Sequence, residues 1–249
     1  MVIVSEDISK KTDNTDHKPV SISVFFPCYN EQDNVTATVK SAVDVLQSID
    51  ADYEIIVVDD GSKDDTKKIA DQLSQENNRI KVVSHPVNQG YGAALQSGFK
   101  AAAKELIFYT DGDGQFDIKE MLPLLDLIKE CDIVSCYRIN RQDSFIRKLN
   151  AWCWTRLGCF LFNMKVRDVD CAFKLYKRQI FDNIKMSSTG ALIDTEIIAK
   201  AIRKGYKITQ KGVHHYPRTA GQQTGANIKV ILRAFKELFK LRRQIKNEG

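Results

Sequence analysis

The fold is decided by two stretches near the N-terminus, SISVFFPCYNE at residues 21–31 and EIIVVDDGS at residues 54–62. Each begins with a run of β-branched and aromatic residues and then turns abruptly polar. Continuous apolar runs of this kind are typical of parallel strands that are buried on both faces of a sheet. We therefore predict two buried strands, each followed by a polar turn at its carboxyl end.

The same pattern continues along the rest of the chain. Further strands are predicted at 80–84, 106–110, 132–137 and 172–176, and helices near 32–49, 64–77, 91–104, 118–129, 145–162 and 193–204, the last ending at Gly205. This alternation predicts an α/β fold with a right-handed, doubly wound and mostly parallel sheet. Ligands bind beyond the carboxyl ends of the strands in such sheets, so the polar turns there are the place to look for chemistry.

Three segments are predicted along the 249 residues. Residues 1–20 are polar without periodicity, which predicts a flexible tail. Residues 21–226 form the α/β domain, and residues 227–249 form a basic amphipathic helix. One face of that helix carries Ile228, Ile231, Leu232, Phe235, Leu238 and Phe239, and its other positions carry Lys229, Arg233, Lys236, Lys240 and Arg243. Such a helix either lies on an anionic membrane surface or packs on its own domain or a partner.

Composition excludes several classes of protein. The 37 basic and 32 acidic residues give a net charge of only +5, which is too small for a dedicated nucleic-acid binder. The six cysteines form no C-x-x-C pair, which indicates reduced thiols in a cytoplasmic protein. The N-terminus does not resemble a signal peptide, and no apolar run reaches the length of about 18 residues that a membrane span needs.

Three polar clusters follow predicted strands, at Asn30-Glu31, Asp59-Asp60-Gly61-Ser62 and residues 111–115. In the third cluster, Asp111, Asp113 and Gln115 alternate along an extended segment, so their side chains fall on one face and suit Mg²⁺ or Mn²⁺. The alternative is an Asp-Gly turn that caps the next helix.

The other candidate motifs are weaker. Asp59 or Asp60 would accept hydrogen bonds from a ribose or base, while Asp64 and Asp65 are expected to cap a helix. Residues 88–92, NQGYG, lack the lysine of a P-loop and are interpreted as a tight turn that starts a helix. Neighbouring His214 and His215 would point to opposite faces of a strand, which favours core or surface roles over metal binding. The motifs of serine hydrolases and zinc proteases are missing from the sequence.

Taken together, Pro27-Cys28-Tyr29-Asn30-Glu31, Asp59-Asp60-Gly61-Ser62 and Asp111-x-Asp113-x-Gln115 resemble the inverting family 2 glycosyltransferases of the type A fold. The resemblance is strongest to the dolichol-phosphate mannose synthase branch, whose members glycosylate polyprenyl phosphates, and it spans about residues 21–225. The sequence departs from that branch at Cys171-Ala172 and after Gly221, where Gln222-Gln223-Thr224 replaces an expected Ser-Lys pair. These departures leave the sugar and the acceptor open.

The resemblance implies a role for each matching residue. The nucleoside pocket would be lined by Pro27, Tyr29, Glu31, Val58 and Asp60. Asp111 and Gly112 would meet the donor, and Asp113 and Gln115 would hold the metal. Arg138, Arg147 and Arg218 would surround the phosphates of donor and acceptor, because guanidinium groups bind phosphate oxygens in pairs. Asp168 would orient the acceptor or take a proton, with Asp194 and Glu196 as weaker candidates.

The expected activity is inverting, metal-dependent transfer of a hexose from a UDP- or GDP-hexose to a polyprenyl phosphate, such as dolichyl or undecaprenyl phosphate. The expected location is the cytoplasmic face of a membrane, contacted through the C-terminal helix, with a membrane protein or a second copy of the chain as a further partner. Two alternatives stay open: a glycosyltransferase with a saccharide or other soluble acceptor, and a catalytically silent subunit that binds nucleotide.

Overall fold

One seven-stranded sheet forms the centre of the computed structural model, which describes residues 19–140, 145–218 and 228–247. The strands are β1 (Ser21–Cys28), β2 (Asp52–Asp59), β3 (Ile80–Ser84), β4 (Leu106–Thr110), β5 (Ile133–Ile139), β6 (Phe173–Lys177) and β7 (Ile208–His214). Their order is β3-β2-β1-β4-β6-β5-β7. Only β6 is antiparallel to its neighbours, β4 and β5, so the predicted mostly parallel sheet is confirmed.

Helices cover both faces of this sheet, as the doubly wound prediction requires. They are α1 (Val35–Ser48), α2 (Thr66–Glu76), α3 (Tyr91–Ala101), a 3-10 turn at Ile118–Met121, α4 (Leu124–Leu127), α5 (Phe145–Phe162), α6 (Ile180–Asn183), α7 (Ile193–Arg203) and α8 (Ile228–Asn247). One hydrophobic core lies under α1 and α2, and a second lies under α3 and α7. Successive residues of β1 serve the two cores in turn: Phe26 packs in the first and Phe25 in the second.

Three elements differ from the sequence prediction, one of which is the short helix α6, for which no element was predicted. The helix expected at 118–129 is divided, because Pro123 has no N–H to continue the helical hydrogen bonds. Strand β7 was not predicted, because its sequence, ITQKGVH, has few apolar residues and the strand lies at an edge of the sheet. Gly205 ends α7 as expected, with a φ of +80° that favours glycine.

The topology collects the polar segments at one edge of the sheet. Strands β1, β2 and β4 are parallel, and β5 has the same direction because both β4 and β5 are antiparallel to β6. Strand β7 is parallel to β5. The carboxyl ends of β1, β2, β4, β5 and β7 therefore lie at the same edge as the amino end of β6, and the turns at this edge can form one site.

The ends of the chain modify the predicted segments. Val20, assigned above to the tail, packs on the core, and its carbonyl oxygen accepts a hydrogen bond from the Asp52 N–H at 2.9 Å. Residues 1–18 lie outside the described part. In α8, Leu238, Leu241 and Ile245 are buried in the second core, so this part of the helix packs on its own domain.

Of the two interpretations of this helix, Leu238 therefore agrees with packing on the chain's own domain, whereas Phe239 is exposed. The side chains of Ile228, Ile231, Leu232 and Phe235 lie outside the described residues. Within the described ranges, no helix is long and apolar enough to cross a membrane.

Candidate active site

A cavity of about 760 Å³ opens at the edge of the sheet where the polar turns meet. Eight residues predicted from the sequence line it: Pro27, Tyr29, Glu31, Asp60, Asp111, Gly112, Asp113 and Arg218. The wall is completed by Cys28, Asn30, Asn88, Gly90, Tyr91 and Ala94. The structure thus brings the turns after β1, β2 and β4 together with the segment after β7.

Close packing between β1 and the turn after β4 places the two acidic residues. The Gly112 N–H lies 3.4 Å from the Pro27 carbonyl oxygen, and a Cβ atom at Gly112 would lie only 2.5 Å from the Cys28 sulfur. A side chain at position 112 would therefore force the Cys28 thiol to move. This contact holds Asp111 and Asp113 beside the segment that carries Tyr29 and Glu31.

Asp111 and Asp113 form an acidic wall of the cavity. Burial, followed by the negative charge of Asp113, raises the pKa of Asp111 to about 8, although the Tyr91 hydroxyl donates to its Oδ1 at 3.1 Å. Burial also raises the pKa of Asp113, against the lowering effects of the Gln115 N–H and Arg218. Two carboxylates that are costly to ionise together would be stabilised by a cation.

The donor groups of this wall fit a hard divalent cation. Among the described residues, no group of three or more His, Cys, Asp or Glu side chains is arranged as a metal site. Mg²⁺ is commonly held by one or two carboxylates, with substrate phosphates completing its coordination, and Asp111 and Asp113 suit that arrangement. The Gln115 side chain donates through Nε2 to the Tyr216 carbonyl oxygen at 2.9 Å, which fixes the amide whose oxygen a metal would use.

Arg218 crosses the cavity from the segment after β7. Its guanidinium donates to Glu31 Oε1, and its Nη1 lies 3.8 Å from Asp113 Oδ2. Glu31 also accepts from the Asn34 amide at 2.8 Å. Burial raises the pKa of Glu31, and the hydrogen bonds from Asn34 and Arg218 offset part of that rise. Arg218 therefore links the turn after β1 to the acidic wall.

Asp60 anchors the loop that leads into α3. Its carboxylate accepts from the backbone N–H groups of Gln89 and Gly90, at 2.8 and 2.9 Å, and lies 2.7 Å from His85 Nδ1. His85 Nε2 lies 2.8 Å from the Ser97 hydroxyl, which fixes the ring from its other side. These bonds orient Asp60 at the cavity wall and use much of its capacity to accept hydrogen bonds from a ligand.

Arg138 and Asp168 form a two-pronged ion pair at the same edge of the sheet. The guanidinium donates through Nε at 2.7 Å and Nη2 at 2.8 Å to the two carboxylate oxygens. Burial lowers the pKa of Arg138, but the hydrogen bonds and charge of Asp168 outweigh this effect and raise it above its usual value. Nearby, burial and then the charge of Asp168 raise the pKa of Asp170 to about 7.

Comparison with known proteins gives the family of this chain. The family model described as "Glycosyl transferase family 2" matches residues 23–185, which cover β1 to β6 and the acidic wall. The chain belongs to glycosyl transferase family 2. Because the match includes the cavity's turns after β1, β2 and β4, the family assignment covers most of the site as well as the fold.

Two relatives support this assignment to the family 2 enzymes. Glycosyltransferase AglD from Haloferax volcanii is 30% identical over 209 residues, which are 80% of this chain and 34% of that protein. Dodecaprenyl-phosphate galacturonate synthase from Rhizobium johnstonii is 29% identical over 206 residues, which are 81% of this chain and 61% of that protein. The chain thus spans less than two thirds of the length of either relative.

Solved structures confirm that the chain has the type A fold. Glucosyl-3-phosphoglycerate synthase from Mycobacterium tuberculosis, crystallised with Mn²⁺, uridine diphosphate and glucosyl-3-phosphoglycerate, matches with a TM-score of 0.59 and 21% identity. That match covers 91% of this chain and 77% of the other. Mannosyl-3-phosphoglycerate synthase from Rubrobacter xylanophilus matches with a TM-score of 0.65 and 17% identity, over 90% and 75% of the two chains.

Other predicted residues do not line the cavity. Val58 is fully buried in the core under α3, so its side chain supports the pocket from behind. Asp194 is buried in an ion pair with Lys174, and Glu196 is buried against Lys200 and the 187–188 backbone, so both have structural partners. The backbone of Arg147 belongs to α5, and its side chain lies outside the described residues.

Several residues around the cavity were not predicted from the sequence. The predicted turn at residues 88–92, which starts a helix, is confirmed, with Gly90 at a φ of +99° and α3 beginning at Tyr91. The sequence did not indicate that Asn88, Tyr91 and Ala94 line the cavity or that His85 holds Asp60. The available signal was position, because these residues follow the carboxyl end of β3.

Two smaller predictions concerned helix capping by Asp64 and Asp65 and the roles of His214 and His215. Asp64 Oδ1 accepts from the Thr66 N–H at 3.0 Å at the start of α2, whereas Asp65 makes no side-chain cap there. His214 contacts Glu120, and His215 packs edge-on against Phe116, so the two rings have separate partners.

Proposed function

We propose that this family 2 enzyme transfers a hexose, with inversion, from a nucleoside diphosphate sugar to a polyprenyl phosphate. The observation that carries the proposal is the convergence of the acidic wall, Asp111 and Asp113, with Arg218 in one cavity beyond the strand ends. The similarity to a dodecaprenyl-phosphate galacturonate synthase supports a polyprenyl acceptor. The donor is a UDP- or GDP-hexose, and the experiment below distinguishes the two bases.

The donor site is assigned to the cavity. Its volume lies within the range of about 300–1,000 Å³ that is usual for small-molecule sites. Pro27 and Tyr29 offer an apolar wall for the base, and Glu31 and Asp60 offer oxygen acceptors for the base or ribose. Asp111 and Gly112 lie where the diphosphate and sugar would follow. Asn88, Gly90 and Tyr91, at the start of α3, form the opposite wall.

A divalent cation is assigned to Asp113, with Asp111 and Gln115 beside it. Mg²⁺ or Mn²⁺ bound there would neutralise negative charge on the departing nucleoside diphosphate. Arg218 adds a fixed positive charge, and its bonds to Glu31 and Asp113 hold it in position before substrate binds. The protein thus supplies alignment and charge stabilisation at the leaving-group end of the reaction.

The acceptor end requires little base catalysis. A phosphate monoester has a second pKa near 6, so its oxygen is already largely ionised at neutral pH. The main requirement is to align that oxygen with the face of the anomeric carbon opposite the leaving group. Arg138 suits this task, and Asp168 holds its guanidinium until the acceptor phosphate competes for it.

Helix α5 offers a surface for the membrane on which such a lipid resides. The exposed side chains of Leu149, Trp152 and Phe160, at 45%, 57% and 83% of their full areas, lie on one face of the helix. Residues 145–165 contain four basic and no acidic residues, and the Arg156 guanidinium lies over the Trp152 ring. An apolar face with basic neighbours matches an anionic bilayer surface.

The position of α5 would also bring the site to the lipid. The helix follows β5, whose carboxyl end lies at the cavity edge of the sheet, and precedes β6, whose amino end lies at the same edge. We expect Phe160→Ser to weaken sedimentation with phosphatidylglycerol vesicles. Phosphatidylcholine vesicles serve as the neutral control, and unchanged binding to the anionic vesicles would remove α5 from the proposal.

The activity is tested by mixing purified protein, Mn²⁺ or Mg²⁺, a short polyprenyl phosphate and a panel of UDP- and GDP-sugars, with products identified by mass spectrometry. The expected product is a glycosyl-phosphoryl lipid whose mass names the sugar, with the donor base identified by which nucleotide is released. Parallel reactions offer soluble saccharides and 3-phosphoglycerate as acceptors. Transfer only to soluble acceptors would contradict the lipid assignment, and no turnover with any donor would favour a silent nucleotide-binding subunit.

A further inference from the structure

A buried ammonium group lies behind the cavity and plays no part in the proposed reaction. Lys174 on β6 is 0% exposed, and its Nζ donates to Asp194 Oδ1 at 2.7 Å and to the carbonyl oxygens of Cys171 and Val169 at 2.6 and 3.1 Å. It lies 3.1 Å from the Tyr109 hydroxyl as well. The charge is thus fully paired inside the second core.

Two tyrosine hydroxyls donate to carboxylates on this side of the sheet. Inside the second core, the Tyr109 hydroxyl donates to Asp194 Oδ1. At the cavity, the Tyr91 hydroxyl donates to Asp111 Oδ1 at 3.1 Å. The first bond belongs to the buried ion pair, and the second belongs to the acidic wall.

Stability alone is a poor reason for such an arrangement. Replacing a buried ion pair by well-packed apolar residues is often neutral or stabilising, so burying these charges gains little for the fold. Orientation is a better reason, because buried and fully bonded polar groups fix one geometry. Tyr91 lines the cavity. It is held there by close packing of Gly90 and Gly92 against the 188–190 backbone.

We propose that Tyr91 is a positioning residue for Asp111, and that the close packing of α3 against the 188–190 backbone holds Tyr91 in place. Tyr91 occupies one oxygen of the Asp111 carboxylate and leaves the other for the donor. The inference rests on the proposed function, because Asp111 is assigned there to the donor. It adds that donor affinity depends on the Tyr91 hydroxyl.

The test compares Tyr91→Phe and Tyr109→Phe with the unaltered protein. The first readout is calorimetric affinity for UDP and GDP with Mn²⁺, the second is KM for donor and for polyprenyl phosphate, and the third is the melting temperature. We expect Tyr91→Phe to weaken nucleotide affinity and raise donor KM by roughly tenfold, the effect of losing a hydrogen bond to a charged group. The acceptor KM should change by less than about twofold, since Tyr91 contacts the donor wall.

Compared with Tyr91→Phe, Tyr109→Phe should cause a smaller loss of nucleotide affinity and a larger fall in melting temperature. The reason is that Tyr109→Phe removes a hydrogen-bond partner of Asp194 and Lys174. Tyr53→Phe is the matched control, since this buried hydroxyl bonds only weakly to Gln47 at the far end of β2. Unchanged donor affinity in Tyr91→Phe, or equal changes in donor KM, acceptor KM and melting temperature, would overturn the inference. If the unaltered protein bound neither nucleotide, the proposed function itself would fail, and this inference with it.

Discussion

The replacement Gly92→Ala probes the packing that forms the cavity wall at the start of α3. A Cβ atom at position 92 would lie 2.5 Å from the Ser188 carbonyl oxygen, 2.6 Å from that of Gly190 and 2.6 Å from the Thr189 carbonyl carbon. All three are backbone atoms, so no side chain can rotate away. The Glu196 carboxylate holds this loop through the N–H groups of Ser187 and Ser188, so a shift of the loop would also strain those bonds.

Overpacking of this kind costs about 1–3 kcal/mol. The gain in helix propensity from glycine to alanine offsets about 0.5–1 kcal/mol of it in a helix interior, and less in a first turn. The expected net loss is about 1–2 kcal/mol. For a domain of this size, each kcal/mol shifts the melting temperature by about 2–4 °C, so we expect a fall of several degrees. Because Tyr91 adjoins the site of overlap, affinity for UDP or GDP should fall as well.

The assay is urea denaturation followed by circular dichroism, with Gly158→Ala as the matched control. Gly158 also lies in a helix, but its added Cβ would meet the Met164 Cε at 3.6 Å and the Thr195 Cγ2 at 3.9 Å, which are ordinary contacts. That variant should be stabilised by about 0.5–1 kcal/mol. If Gly92→Ala were equally stable, the close packing of α3 against the 188–190 loop would be wrong.

Three further predictions concern charged groups. Asp113→Asn should abolish Mn²⁺-dependent turnover while circular dichroism and melting temperature stay near those of the unaltered protein; retained turnover would remove the metal assignment. Because the folded state raises the pKa of Asp170 to about 7, its contribution to stability is present at low pH and is lost as pH rises through 7, so Asp170→Asn should stabilise the protein at pH 8 but hardly at pH 4. The upper bound is roughly 4 kcal/mol at about 1.36 kcal/mol per pKa unit, measured by denaturant titrations at both pH values, and equal effects at both would contradict the raised pKa. Arg138→Lys, which cannot form the two-pronged bond to Asp168, should raise the KM for polyprenyl phosphate roughly tenfold and leave that for the donor unchanged; a change confined to the donor would contradict the assignment.

Most of the fold was predictable because its strands are buried on both faces. Runs such as residues 55–58 are apolar throughout, and the amphipathic period of α1, α2 and α3 is clear. Strand β7 was not predicted, because an edge strand with only one neighbour needs few apolar residues. The antiparallel direction of β6 was not predicted either, since a short apolar run looks the same in either orientation.

The candidate site was predictable where the chemistry lies directly after a strand. The acidic residues after β1, β2 and β4 line the cavity for this reason, whereas Arg218 was expected only from the resemblance to the family. Tyr91 and His85 were missed because their importance comes from the side chains they contact, Asp111 and Asp60, and the sequence does not give those pairings. Val58 does not line the cavity for a different reason: the alternation of side chains along β2 turns Val58 into the core.

Helix α8 shows the limit of amphipathic patterns. Its apolar face predicts burial, but the sequence does not say whether a membrane or the protein's own core provides it. In the described part of α8, α7 and the rest of the second core cover Leu238, Leu241 and Ile245. The sequence predicted that α5 is a helix. The exposure of its apolar side chains became visible only in the structure.

The central claim is that the cavity beyond the strand ends is the donor site. A crystal structure grown with Mn²⁺ and UDP or GDP tests it most directly. We expect the base against Pro27 and Tyr29, the diphosphate beside Asp111 and Asp113, and the metal in contact with Asp113. A nucleotide bound at another surface, or a metal bound away from Asp113 while the cavity stays empty, would contradict the account.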